Sequence, residues 1–261
     1  GVNWKANIFL NGKKIGRIEG AFMRGKYDIT EYVVEGKNIL AVEIIKNEHI
    51  GAIKEKNEVN TDFNGGILGA DNPTFHASIG WDWISTIRGR NIGIYNDVYL
   101  TTAGKVTVAD PFVRTELSLP DTLATLTPEI IVENHADTPV KGKLRGRVGD
   151  INFEKEIELK ADESRTVKFE PTEYPQLKEQ ALRLWWPNGY GEPYLYDAEF
   201  SFSIGDVISD SKEFKVGIRQ MDFNEDNDIL SLYINGRRFI GRGGNWGFGE
   251  NNLNYRGREY D

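Results

Sequence analysis

The triplet Trp81-Asp82-Trp83 sets a carboxylate between two indoles and takes up two of the chain's six tryptophans. Partial desolvation beside the rings disfavours a charged carboxylate unless hydrogen-bond donors approach it. A sugar meets both halves of that demand, with apolar C–H faces for the rings and hydroxyl donors for Asp82. A structural reading stands beside this one. Paired tryptophans also plug β-sandwiches, and an intervening Asp also caps a turn or pairs with an arginine such as Arg88 or Arg90.

Other constellations carry less chemistry. Asp222, Asn224 and Asp226 alternate as in a calcium loop, but Asn227 stands where that loop needs Gly and Tyr233 where it needs a bidentate Glu, so the segment reads as a polar hairpin turn. His49, His76 and His135 are scattered without metalloprotease spacing, and neither a G-x-S-x-G elbow nor a phosphate loop is present. Glycosidic hydrolysis needs two carboxyl groups held rigidly across one bond. Glu48, Glu58 and Glu225 each follow an Asn in polar loops, and no carboxylate pair stands at an apolar strand end.

Composition narrows the partners. With 32 Lys and Arg against 40 Asp and Glu, the net charge of -8 argues against nucleic acid and against an anionic membrane surface. The absence of cysteine excludes disulfides, zinc–thiolate sites and thiol nucleophiles. No apolar run reaches the roughly 18 residues of a membrane-spanning helix. The opening GVNWKANIFL also lacks the basic-then-apolar order of a signal peptide. The residues leave the compartment open, a periplasmic or secreted one being favoured.

The elements that must position these residues read as β throughout. Asn11-Gly12 predicts a hairpin joining strands over 2–10 and 13–18, and residues 39–45 read as a further strand. From Lys46 to Ile79 the pattern dissolves, and a loop of that length is usually functional or mobile. Alternation predicts a strand over Tyr95–Thr101, followed by a short linker at Thr102-Ala103-Gly104. A second β-run follows, with strands expected over 106–117, 126–133, 140–148, 151–159, 165–169 and 194–203. The pair 140–148 and 151–159 meets across Gly149-Asp150, and the spacing suggests an immunoglobulin-like sandwich. Within Leu182–Tyr196, Pro187, Gly189, Gly191 and Pro193 forbid a helix, so Trp185, Trp186, Tyr190, Tyr194 and Tyr196 are borne by an irregular loop, for which packing between domains is the favoured reading. Asn235-Gly236 predicts a last hairpin, with arms over 230–234 and 237–241.

Together VNWKANIFLNGKKIG, YDITEYVVEGKNILAVEI, GWDWISTIRGRNIGIYNDVYL, WWPNGYGEPYLY, KVGIRQMDF and LYINGRRFIGRGGNW resemble successive landmarks of glycoside hydrolase family 2, in that family's order and over nearly the whole chain. The WDW and GGNW segments look closest to its β-mannosidase and exo-β-glucosaminidase branch. The resemblance implies an all-β chain: a jelly-roll sugar-binding domain over 1–102 without its opening strands, an immunoglobulin-like β-sandwich over 103–216, and the start of a (β/α)8 barrel over 217–261. It also implies a retaining exo-glycosidase that uses two barrel glutamates and no metal or organic cofactor. By the family's pattern those glutamates lie beyond Asp261, so no residue here is expected to be catalytic. The chain alone is then expected to be inactive, packing on its own missing barrel.

The implied partner is carbohydrate, the terminal β-linked sugar of a glycan. Asp82 matches the family aspartate that binds hydroxyls of that sugar, with Trp81 walling the pocket and Trp83 beside it, and Asn245 and Trp246 match residues near the sugar. Two alternatives stay open, a free-standing carbohydrate-binding module and a purely structural spacer.

Overall fold

The computed structural model describes residues 1–20, 23–46, 48, 92–226 and 228–244. Among them there is no α-helix, and the chain divides into two compact units, Gly1–Leu100 with Gly243–Asp261, and Thr101–Arg242. The long loop expected from Lys46 to Ile79 lies mostly outside the described residues.

In the first unit, β1 (Val2–Asn3), β2 (Lys5–Leu10), β3 (Lys13–Glu19), β4 (Leu40–Ile44) and β5 (Gly93–Ile94) form two antiparallel sheets, β3-β2-β4 and β1-β5. The hairpin between β2 and β3 turns at Asn11 (φ 49°) and Gly12 (φ 80°), the two left-handed residues that a type I′ turn requires. Alternate residues of β2, Ala6, Ile8 and Leu10, point inward, and Ala6 and Ile8 share a small core with Val2 and Ile18. The Tyr27 ring lies directly on Gly16, where no Cβ would fit.

The alternation of Tyr95–Thr101 does not become a strand. Only Gly93–Ile94, just before it, is one, and Val98, Tyr99 and Leu100 are exposed. A strand exists only through its ladder, and no described strand pairs with residues 96–101.

Most of the second unit is a seven-stranded antiparallel sandwich of the immunoglobulin-like kind, built from β6 (Val106–Ser118), β7 (Leu123–Asn134), β8 (Val140–Val148), β9 (Ile151–Leu159), β10 (Ser164–Lys168), β11 (Tyr196–Ile204) and β12 (Val207–Val216). The sheets are β10-β7-β6 and β12-β11-β8-β9, and their inner faces share one core. Strict alternation in β7 sends Ala124, Leu126, Ile130 and Val132 inward. Phe153 packs at 4.6 Å from Phe169 and 5.9 Å from Phe200 at the centre. Proline cannot donate to a ladder, and Pro111 is accommodated where the β6–β7 register shifts between Ala109 and Phe112. Between the two sheets, the buried Ser209 hydroxyl of β12 accepts from Val106 N at 2.9 Å and donates to the Val106 carbonyl at 2.7 Å.

Three further strands, β13 (Met221–Asp226), β14 (Ile229–Ile234) and β15 (Arg237–Phe239), form a meander in the same unit. Residues 222–226, expected as a polar hairpin turn, are therefore a strand, and the turn lies between Asp226 and Ile229. The alternation that mimics a calcium loop is the strand period: Met221 and Phe223 pair with Ile234 and Leu232, which leaves Asp222 and Asn224 together on the opposite face.

Candidate functional site

Trp81, Asp82, Trp83, Asn245 and Trp246 all lie outside the described residues. Of the segments that the sequence singles out, the described residues hold the aromatic loop Leu182–Leu195 and the meander that ends at Phe239.

Pro187 and Gly189 fold the tip of the loop, Tyr190 N donating to the Pro187 carbonyl at 3.0 Å with Gly189 in a left-handed conformation (φ 82°). Trp185 bridges Pro193 across the loop, and Trp186 N donates to the Glu192 carbonyl at 3.0 Å. These ties hold Tyr194 and Leu195 in the loop, so β11 starts at Tyr196, two residues later than its sequence suggests. Arg183 pairs with Glu192 and covers Tyr194 at 4.4 Å, while the Tyr196 hydroxyl accepts from Arg183 N at 2.8 Å.

The loop then fastens the sandwich to the meander. Trp185 N donates to the Ile218 carbonyl at 2.9 Å, and the buried Asn235 amide donates to the Trp185 carbonyl at 3.0 Å. Asn235 and Gly236 form the type I′ turn between β14 and β15 (φ 50° and 75°). Tyr190 packs its ring 5.3 Å from Phe239, and its hydroxyl accepts from Ile240 N at 2.9 Å, so the segment leaving the meander toward Asn245 is tied to the loop at its first residue.

Both indoles are covered. Arg219 stands over Trp185 at 4.5 Å and Arg237 over Trp186 at 5.4 Å, while Gly191 leaves no room for a Cβ against Trp186 and Gly217 only a tight one against Trp185. A sugar platform presents open aromatic faces, whereas these rings are engaged within their own unit. The arrangement is that of a brace. The pairing of these aromatics with Arg219 and Arg237, and the role of Asn235, were missed in the sequence. Only the Asn-Gly dipeptide marked the place, and it signals a turn, not its partners.

Glu154 and Asp197 are held below their ordinary ranges, chiefly by hydrogen bonds from Lys143 and Lys215, so these two exposed carboxyls are surface ion-pair partners. A shallow groove of about 330 Å³ between β9 and β10 is lined by Lys155, Glu158, Arg165 and Lys168 and by no aromatic ring. Lys155 and Lys168 are paired there with Glu173 at 3.1 Å and Glu129 at 3.4 Å. No group of three or more His, Cys, Asp or Glu comes together among the described residues to hold a metal.

Comparison with known proteins gives the frame that this geometry lacks. The family model described as Glycosyl hydrolases family 2 matches residues 106–219, and that described as Glycosyl hydrolase 2 galactose-binding domain-like matches residues 1–96. The exo-β-D-glucosaminidase of Streptomyces avermitilis is 32% identical over 94% of this chain and 25% of its own length. The mannosylglycoprotein endo-β-mannosidase of Lilium longiflorum is 32% identical over 94% of this chain and 26% of its own. Among solved structures, the exo-chitosanase of Amycolatopsis orientalis in complex with PNP-β-D-glucosamine is similar at a TM-score of 0.74 and 26% identity, covering 95% of this chain and 26% of that one. The chain thus spans about a quarter of the length of the relatives it matches.

Proposed function

The chain belongs to glycosyl hydrolases family 2, in its exo-β-glucosaminidase and β-mannosidase branch, and from that premise we propose that it is the non-catalytic N-terminal portion of an exo-acting retaining β-glycosidase. The substrate is a terminal β-glucosaminide or β-mannoside. The observation that carries this reading is the succession of a galactose-binding-like match over 1–96 and a family 2 match over 106–219, in a chain that aligns over 94% of its length with an exo-β-D-glucosaminidase. The endo-acting lily relative makes exo action part of the proposal and not of the premise.

In this reading the acid/base and the nucleophile are two glutamates of a barrel outside these 261 residues, and double displacement at the anomeric carbon needs no metal. Asp82 accepts hydroxyls of the terminal sugar in charge-assisted hydrogen bonds, worth about 1.5–3 kcal/mol. Trp81 and Trp83 wall the sugar, and Asn245 and Trp246 line it from the segment that follows Ile240.

The test is hydrolysis of aryl β-glycosides (glucosaminide, mannoside, galactoside and glucuronide) by the full-length gene product, with the 261-residue chain as control. Turnover of the glucosaminide or mannoside by the full-length protein alone is expected. Turnover by the short chain would refute the division of labour, and saturable sugar binding by the short chain alone would favour a carbohydrate-binding module. In the full-length enzyme Asp82→Ala should lower kcat/KM by on the order of ten- to a hundredfold. A folded variant with unchanged kinetics would remove Asp82 from the site.

A further inference from the structure

An asparagine followed by glycine loses its side-chain amide more readily than any other, because a residue without a Cβ lets the next backbone nitrogen reach the amide carbon. The described residues hold three such pairs, Asn11-Gly12, Asn188-Gly189 and Asn235-Gly236. Two of them are locked. Asn11 Nδ2 donates to the Tyr32 carbonyl at 2.9 Å and to Asn38 Oδ1 at 2.8 Å, and its Oδ1 accepts from Ile39 N at 2.9 Å. Asn235 is buried, with Nδ2 on the Trp185 carbonyl and Oδ1 on Gln220 N.

Asn188 differs in its hydrogen bonds: it is exposed, as Asn11 is, but its amide has no partner. A Cβ on Gly189 would meet nothing within 4 Å, as at Gly12, so the space beside the reacting nitrogen is open.

We infer that Asn188 is a modification site, the position among the described residues at which the folded chain deamidates. Gly189 N, giving up its proton to base, attacks Asn188 Cγ. The new C–N bond closes a succinimide, and Nδ2 leaves with a proton as ammonia. Water then adds to either imide carbonyl and opens the ring to an aspartate or an isoaspartate. The sum is amide plus water giving acid plus ammonia, with no oxidant or reductant. The isoaspartate product adds a carbon to the backbone of the turn that Tyr190 N closes on the Pro187 carbonyl, and Tyr190 also holds Ile240 N. Ageing at Asn188 therefore loosens the tie between the loop and the segment that follows the meander.

The test is incubation of the intact chain in mildly alkaline buffer, folded and in urea, with peptide mapping by mass spectrometry. In the folded chain the peptide bearing Asn188 should convert at least about tenfold faster than those bearing Asn11 and Asn235, whose amides must first break two or more hydrogen bonds. In urea the three rates should converge, and Asn188→Gln should abolish conversion of its peptide in both states. The inference fails if Asn11 or Asn235 converts as fast as Asn188 in the folded chain, or if Asn188 retains its amide while the unfolded chain converts. It also fails if the difference in rates persists in urea.

Discussion

The Asn235 amide donates to the Trp185 carbonyl at 3.0 Å, and this one bond fastens a hairpin turn to the aromatic loop. The same side chain accepts from Gln220 N at 2.9 Å, and Asn235 N donates back to the Gln220 carbonyl at 2.9 Å. Gln220 reaches further, its Oε1 accepting from Leu117 N at the end of β6. Asparagine suits the position twice over. It tolerates the left-handed φ of 50° and carries both a donor and an acceptor.

Asn235→Gly keeps the turn geometry and removes the fastening. The partners left behind are the Trp185 carbonyl and the Gln220 N–H, so a loss of about 2 kcal/mol is expected. Urea unfolding checks it. An unchanged midpoint would mean that the turn alone, and not its side chain, sets the stability here.

The Tyr190 hydroxyl is the acceptor for Ile240 N. Tyr190→Phe should preserve the ring contact with Phe239, lower stability by about 1 kcal/mol, and quicken hydrogen exchange at the Ile240 amide. Exchange at Trp185 N, which is bonded to the Ile218 carbonyl, should stay slow. Equal acceleration at both amides would show that the loop opens as a whole.

Ser209 joins the two sheets of the sandwich through both backbone polar groups of Val106. Ser209→Ala leaves a buried donor and a buried acceptor unpaired, and a loss of about 2 kcal/mol or more is expected. A thermal melt unchanged from the parent would mean that water or a backbone shift replaces the hydroxyl.

How much of this was legible follows from how local each cause is. The turns at Asn11-Gly12, Gly149-Asp150 and Asn235-Gly236 depend on neighbouring residues, and each sits where its dipeptide indicates, with Val148 paired to Ile151. Alternation is enough for β7 and β9, which pair with β6 and β8. It misled at Tyr95–Thr101, where no described strand supplies a ladder, and at Asp222–Asp226, where polar residues concealed a strand. The arginine-covered indoles were not legible, because Trp185 and Arg219, like Trp186 and Arg237, lie far apart in the chain. The expectation that Asp82 binds sugar rests chiefly on the family resemblance, since a carboxylate between indoles also fits a packed turn, and it falls outside the described residues.

Acid should weaken the sandwich through its surface pairs. Lys143 donates to Glu154 at 3.0 Å and Lys215 pairs with Asp197, and these hydrogen bonds hold both carboxyls below their ordinary ranges. A lowered folded-state pKa contributes stability above the unfolded value, and that stability is lost as pH falls through the folded value. Tm should therefore drop below the usual carboxylate range, and Glu154→Gln combined with Asp197→Asn should flatten that slope. Identical slopes in parent and double variant would place the acid sensitivity elsewhere.

The brace reading of the aromatic loop separates from a sugar-platform reading by what each makes Trp186 do. In a platform the ring meets substrate, so its loss raises KM. In the structure the ring lies under Arg237 and against Gly191, half-buried within its own unit. Trp186→Ala should accordingly lower the stability of the 261-residue chain by about 2 kcal/mol. In the full-length protein it should leave KM for an aryl β-glycoside unchanged, whereas the proposed role of Asp82 has Asp82→Ala raising KM or lowering kcat. Arg237→Ala should reproduce part of the stability loss, since it uncovers the same ring. A Trp186→Ala enzyme with the parent's Tm and a raised KM would overturn the brace and return the loop to the substrate.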